Sequence, residues 1–436
     1  MILQYFNHTK LIGCRRWGNF GDVNDRKRKP RQRGKETIEE MDEETKKKTT
    51  RKRKKKKKHY DKGYRNELIK LLITSGGISY KGLCLLSKNR IMYQRKLIDM
   101  KNEGIVEIFS KNRTRIARLK DFENTYETYI GNMPVGYYGY YNQHGKILHK
   151  YLGTKEENGV KAERAIRIIE INLIMNGTEN IRVYPEEKPR IDTANYIPEE
   201  GSYYYTISEL RQDELFRQNV KEKEKGDEYS ITSRAVGLLI SPDGNYPVYH
   251  TGEAAMLWRK SAEGQLSYSL AMLLKKKRTD MKTPVFNGIQ ECIIFADNME
   301  VFGRIILGKK GRNLNMDSGY KAMYALPYDS NGQKILEKMT FPNWKTKLNT
   351  SVLKGYDTEI DKASSIIYDG RKEQHIALNF CCSDIQRLNK FIKTMQWICD
   401  TNTENIYEIF CYTFQEPLVK SLTSELNCVN IISVEL

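Results

Sequence analysis

The sequence predicts an α+β protein in which a small helical module closed by a hairpin is joined, through a helical connector, to an α/β domain with a mixed sheet. Three observations carry this. Apolar residues between Asp61 and Asp121 recur first at helical and then at strand spacing. From Ile231 to Leu436 short apolar runs alternate with helical patterns, as helices packed on a sheet require. The chain has 436 residues, 39% of them hydrophobic, enough for two or three domains with a sizeable core. The organisation read from these features is a disordered basic arm over 1–60, the small module over 61–121, a tyrosine-rich and helical connector over 122–230, and the α/β domain over 231–436.

The arm comes first. Residues 26–58 hold almost no large apolar side chain and end in the basic run Arg51, Lys52, Arg53, Lys54 and onward to Lys58, so burial cannot offset their ordering entropy. The net charge of +19 is unevenly placed. Met1–Tyr60 carries 21 Lys and Arg against 8 Asp and Glu, Asp61–Asp121 carries 14 against 6, and the remainder is slightly acidic. Binding of a polyanion is therefore expected at the N-terminal side, with the arm displacing counterions from phosphates. The same run would also serve as a nuclear localisation signal.

In the module, Tyr64, Leu68, Leu71 and Leu72 predict a first helix stopped at Ser75-Gly76-Gly77. Ser79 is the expected N-cap of a second, through Tyr80, Leu83 and Leu86. Asn89 is the expected cap of a third, with Tyr93, Leu97 and Met100 on its buried face and Gly104 at its end. Ile105–Ser110 and Thr114–Leu119, joined at Lys111-Asn112-Arg113, predict a hairpin. Through Ser87–Ile108 the module resembles the winged-helix family. That resemblance implies a third helix in the major groove of duplex DNA, with Lys88, Asn89, Arg90, Gln94 and Arg95 near bases, and a wing whose Lys111, Arg113, Arg115 and Arg118 hold phosphates. A winged helix used for protein interaction is the other reading.

The connector concentrates tyrosine around Tyr137, Tyr138, Tyr140 and Tyr141, suited to packing or to stacking on unpaired bases. His144 and His149 do not make the three-histidine set that a relaxase-type tyrosine site uses. Lys155–Met175 predicts a helix with Ala162, Ala165, Ile166, Ile169 and Leu173 on one side, Pro185–Pro198 an irregular crossing and Asp213–Tyr229 an exposed segment. In the last domain, Ala235–Ile240 and Tyr246–Thr251 flank the turn Ser241-Pro242-Asp243-Gly244. Strands are expected at Glu291–Ala296, Lys321–Leu326, Ile376–Cys382, Ile406–Thr413 and Val429–Val434, with helices between them.

Catalytic signals are sparse. Asp243 and Glu253 have the spacing of PD-(D/E)xK nucleases, whose two carboxylates hold Mg²⁺, but Ala255 stands where the lysine belongs and Lys260 lies five residues further on. A degenerate form of that fold, without catalysis, is one expectation; a metal-dependent nuclease is the alternative. There is no phosphate-cradling Gly-x-x-x-x-Gly-Lys-Ser/Thr loop, and Ile306–Arg312 follows a helix rather than a strand. The eight cysteines include no Cys-x-x-Cys pair and are read as reduced thiols, Cys381 and Cys382 pointing to opposite faces of a strand. No apolar run approaches the roughly 18–20 residues of a membrane span, so a cytoplasmic protein is expected.

The module, Lys161–Asn176 and Ser233–Trp258 together resemble the replication-relaxation family of bacterial plasmids and conjugative elements. The resemblance implies an accessory DNA-binding protein of a mobile element, acting in replication or conjugative mobilisation. No cofactor is expected, and the near-neutral charge of the C-terminal domain suits it to recruit a protein partner such as a relaxase or replication initiator. A transcriptional regulator is a further alternative.

Overall fold

The computed structural model describes residues 63–436, except 87–88, 112, 131–144, 154–158, 190–200, 212–232, 278–287, 309–311, 360–365 and 399–404. Arg51, Lys52, Arg53, Lys54 and Lys88, the tyrosines at 137–141, His144 and the segment 213–229 lie outside the described residues. Helix α1 covers residues 63–75 and buries Leu68, Leu71 and Leu72. It stops at Gly76, whose φ of 70° suits glycine, and a Cβ there would lie 2.5 Å from the backbone nitrogen of His149. Strand β1 (Ile78–Ser79), helices α2 (Leu83–Leu86) and α3 (Arg90–Asn102), and strands β2 (Val106–Lys111) and β3 (Thr114–Leu119) follow. These strands form an antiparallel sheet of order β1-β3-β2, with Val106 opposite Leu119 and Lys111 opposite Thr114. Ser79 is thus a strand residue paired with Ile116 rather than a helix cap. Asn89 does sit at the cap position of α3, but without a capping side-chain bond; its amide donates to the Tyr64 hydroxyl at 3.1 Å.

Helices α4 (Phe122–Ile130) and α5 (residues 145–153) lead to α6 (Gly159–Gly177). The expected stripe of α6 is buried, and so are Ile168, Ile171, Ile174 and Met175 on its other sides. The helix is thus covered on all sides from Ile168 to Met175, whereas Lys161 and Glu163 near its start are exposed. Here its Glu170 accepts from the Ser79 hydroxyl at 3.2 Å and its Asn172 amide donates to Ser75 at 3.2 Å, tying it to the first helices.

Strands β4 (Ile181–Arg182) and β5 (Ser202–Thr206), helix α7 (Ile207–Leu210), and strands β6 (Gly237–Ile240) and β7 (Asn245–His250) come next. Helix α8 (Lys260–Lys277), β8 (Glu291–Ala296), α9 (Met299–Ile306), β9 (Ala322–Pro327), α10 (Ser330–Lys338) and α11 (Trp344–Val352) complete the larger part of the chain. The six strands β4 to β9 form one mixed sheet in sequence order, antiparallel across β5, β6 and β7 and parallel across β7, β8 and β9. Residues 181–206, which the sequence places in the connector, therefore contribute two strands to the sheet that continues past residue 231. A second sheet, β10 (Gly370–Lys372), β11 (His375–Asn379), β12 (Ile406–Tyr412) and β13 (Val429–Val434), has parallel crossovers through α12 (Ile385–Ile398) and α13 (Glu416–Thr423).

Strand alternation divides the interior. Val248, Ile293, Phe295, Tyr324 and Leu326 face a core that also holds Leu68, Leu97, Ile169 and Leu336. Tyr249, Cys292, Ile294, Met323 and Ala325 face the opposite core, shared with Phe302, Leu388 and Tyr407. Cys381 and Cys382 lie in a 3₁₀ turn after β11 and not on a strand; both are buried and free. Cys428 departs from the expected reduced thiols, being disulfide-bonded. No helix among the described residues is long and apolar enough to cross a membrane.

Candidate functional site

The outward face of α3 is set by its inward one. Tyr93, Leu97 and Met100 are buried at helical spacing, and Tyr93 is fixed by its hydroxyl donating to Glu67 at 2.8 Å and by its edge-on ring contact with Tyr64. That fixes the rotation of the helix and turns Ile91, Met92, Arg95, Ile98 and Asp99 to the outside. Ile91 is 63% and Ile98 45% exposed, so the face is apolar around an exposed guanidinium. Arg90 and Gln94 are half-buried on its border, while Lys96 is buried with its ammonium 3.3 Å from Asp99.

On the hairpin, Arg113 is exposed at a φ of 61°, in the turn, and Arg115 is exposed with its guanidinium 4.5 Å above the Tyr80 ring. Lys111 is half-buried. Arg118 is a correction to the expected phosphate contacts. Its guanidinium is held between the Glu107 carboxylate and the His149 carbonyl oxygen, and its side chain is largely covered. His149 is likewise internal, its ring nitrogen 2.7 Å from the Leu119 oxygen, and burial lowers its pKa.

Asp243 and Glu253 are not brought together, so the expectation that they share a metal is corrected. Asp243 accepts from the backbone N–H groups of Asn343 and Trp344 at 2.8 and 3.0 Å, which makes it the cap of α11. Glu253 is exposed beyond the other end of β7, where its carbonyl accepts from Arg304 at 2.6 Å. The six residues of β7 between them span roughly 20 Å at ~3.3 Å per residue. Lys260 pairs instead with Asp317 at 2.6 Å.

A polar cluster that local sequence patterns do not announce lies at the carboxyl ends of the parallel strands. His250 ends β7, Asp297 follows β8 and Tyr328 follows β9. The His250 Nε2 is 2.9 Å from a Glu170 oxygen on α6, and one ligand atom each from Glu170, His250 and Asp297 lies within 4.8 Å of the others. The Lys81 ammonium comes from the turn between β1 and α2 to 2.6 Å of Asp297 Oδ1, in ion-pair contact but off hydrogen-bond angles. The Tyr328 hydroxyl is buried without a hydrogen-bond partner. Burial, and then the charges of Glu170, Cys84 and Asp297, raise that phenol well above its ordinary range. These residues are separated by 89, 80 and 47 positions in chain order, counting from Lys81 to Glu170 to His250 to Asp297. Local spacing therefore carries no trace of the cluster; the ends of the predicted strands were its one available signal.

A third polar region is a 230 Å³ cleft lined by Glu291, Tyr324, Lys345, Asp384 and Arg387 between the sheets. Two of its three cations are paired, Lys345 with Glu291 at 3.1 Å and Arg387 with Asp369 at 2.7 Å, and the third is Lys321. Burial raises Asp384 to about 6, against hydrogen bonds from the Met323 and Gln386 N–H groups and the charge of Arg387. No family model, no curated protein and no solved structure matches this chain.

Proposed function

We propose that this chain binds duplex DNA through residues 63–121, a winged helix in which α3 lies in the major groove and the β2–β3 hairpin on the backbone. The observation that carries the reading is the outward face of α3, where the exposed Arg95 sits beside half-buried Arg90 and Gln94. Arg113 and Arg115 on the hairpin stand ready for phosphates, and the adjoining Met1–Tyr60 supplies a further net +13. The wider role is that of an accessory protein of a plasmid or conjugative element, the two-sheet remainder receiving a relaxase or replication initiator. The nuclease alternative loses its support with the separation of Asp243 from Glu253.

The test is binding of the full chain to a selected duplex and to random duplex. Arg95→Ala and Gln94→Ala weaken the selected site by about 1–3 kcal/mol for each well-aligned hydrogen-bonded base that is given up, and random DNA less. Arg113→Ala weakens both alike. Equal losses on both duplexes for all three variants would remove base reading by α3.

A further inference from the structure

The cluster at the strand ends has a composition that the proposed DNA contact leaves unused. In a parallel sheet, the crevice outside the carboxyl ends of the strands collects functional side chains, because the turns that leave those ends converge there. His250, Asp297 and Tyr328 occupy that position on three adjacent strands, and Glu170 reaches it from α6. Glu170 is 5% and His250 1% exposed, so two carboxylates and an imidazole are gathered largely away from water. Such carboxylates require compensation.

The compensation in place is uneven. Asp297 has the Lys81 ammonium, whereas Glu170 has the Ser79 hydroxyl and the His250 ring. Lys81 is 40% exposed along its side chain, and can swing into solvent at little cost. Beside them the Tyr328 hydroxyl, on a residue 4% exposed, lacks a hydrogen-bond partner and lies against Glu170 and Asp297 closely enough to feel both charges. Imidazole plus two carboxylates is a donor set for a first-row divalent cation, and three protein ligands leave coordination positions for water that an idle phenol can bond.

We propose that Glu170, His250 and Asp297 bind a first-row divalent cation at the carboxyl ends of β7 and β8, displacing the Lys81 ammonium. Because Ser79 belongs to β1, Lys81 to the turn that follows it and Glu170 to α6, the ion is bound at the junction of the proposed DNA-binding part with the sheet.

The probe is Mn²⁺, which favours oxygen and imidazole donors over the exposed thiol of Cys84. The full chain, freed of metals with a chelator, is titrated while the paramagnetic resonance signal of free Mn²⁺ is followed. One ion per chain is expected. Asp297→Asn should weaken that site at least about tenfold, and Lys81→Met, which removes the competing cation, should tighten it by about tenfold. Lys81 is partly exposed, so the second variant tests the site without emptying a buried position. Absence of saturable uptake in both wild type and Lys81→Met overturns the proposal, as does a site of unchanged affinity in Asp297→Asn.

Discussion

At the scale of single residues, identical side chains have acquired different work from their surroundings. Arg115 and Arg118 are three positions apart on one strand, yet Arg115 is exposed and Arg118 is locked between Glu107 and the carbonyl of His149. Glu107, opposite Arg118 across the hairpin, is a local partner, but the His149 oxygen that completes the lock arrives from 31 residues further along the chain. Asp243 has a comparable history. Its turn is legible from Pro242 and Gly244, but its acceptors' task is given by Asn343 and Trp344, a hundred residues away. Asp384 yields a prediction of its own. Its folded pKa is raised above the ordinary carboxyl value of 3.8 to about 6, so its stabilising effect is complete below pH 4 and is lost as pH rises through 6. Asp384→Asn keeps the acceptor for the Met323 and Gln386 N–H groups and abolishes that titration. The stability of wild type relative to the variant should fall between pH 4 and 6 by on the order of 1–3 kcal/mol, read from urea denaturation at each pH. A difference flat with pH contradicts the raised value.

At the scale of elements, periodicity was the informative signal and short length its limit. The strands Glu291–Ala296 and Val429–Val434 lie where their apolar runs predict, and the third helix buries the three residues that its spacing selects. Strands β1 and β4 have two residues each and owe their existence to the neighbours they pair with, so no pattern of period two could announce them. The tyrosines of β5 conceal a strand in the same way, since all five of its residues are buried and none alternates. The α3 helix, in turn, is apolar outside as well as inside. If it enters a major groove, Ile91, Met92 and Ile98 meet the C5-methyl groups of thymine, the one apolar feature of that surface. Replacing thymine by deoxyuridine in a selected duplex should then lower affinity several-fold, while Ile91→Ala should lose affinity for the thymine duplex and little for the uracil one. Indifference to the methyl group in both proteins would leave the guanidinium of Arg95 as the reader.

At the scale of the whole molecule, charge and packing follow different divisions. The excess positive charge is N-terminal to Phe122, a partition legible from counting residues. A protein beginning at Lys58 should accordingly show a shallower dependence of log affinity on log salt than the full chain, and an unchanged slope would mean that Met1–Lys57 does not touch DNA. Packing recognises no boundary at Phe122. One core runs from Leu68 on α1 through α6 to Tyr328 and Leu336, because α6 from Ile168 to Met175 is buried on every side. The sequence carried that fact in Ile168, Ile171 and Met175, although only one stripe of the helix is needed to predict that it forms.

The forked amide of Gln333 fastens two of these helices at once. From α10 it donates both to the Leu85 carbonyl at the end of α2 and to the Gly177 carbonyl at the end of α6, closing with one side chain the C-terminal ends of two helices 92 positions apart. Where helix ends are fastened across elements in this way, fraying of one exposes the other, so opening becomes a shared event. Amide protons of α2, α6 and α10 are accordingly expected to exchange as a single cooperative unit, and Gln333→Ala to separate their rates.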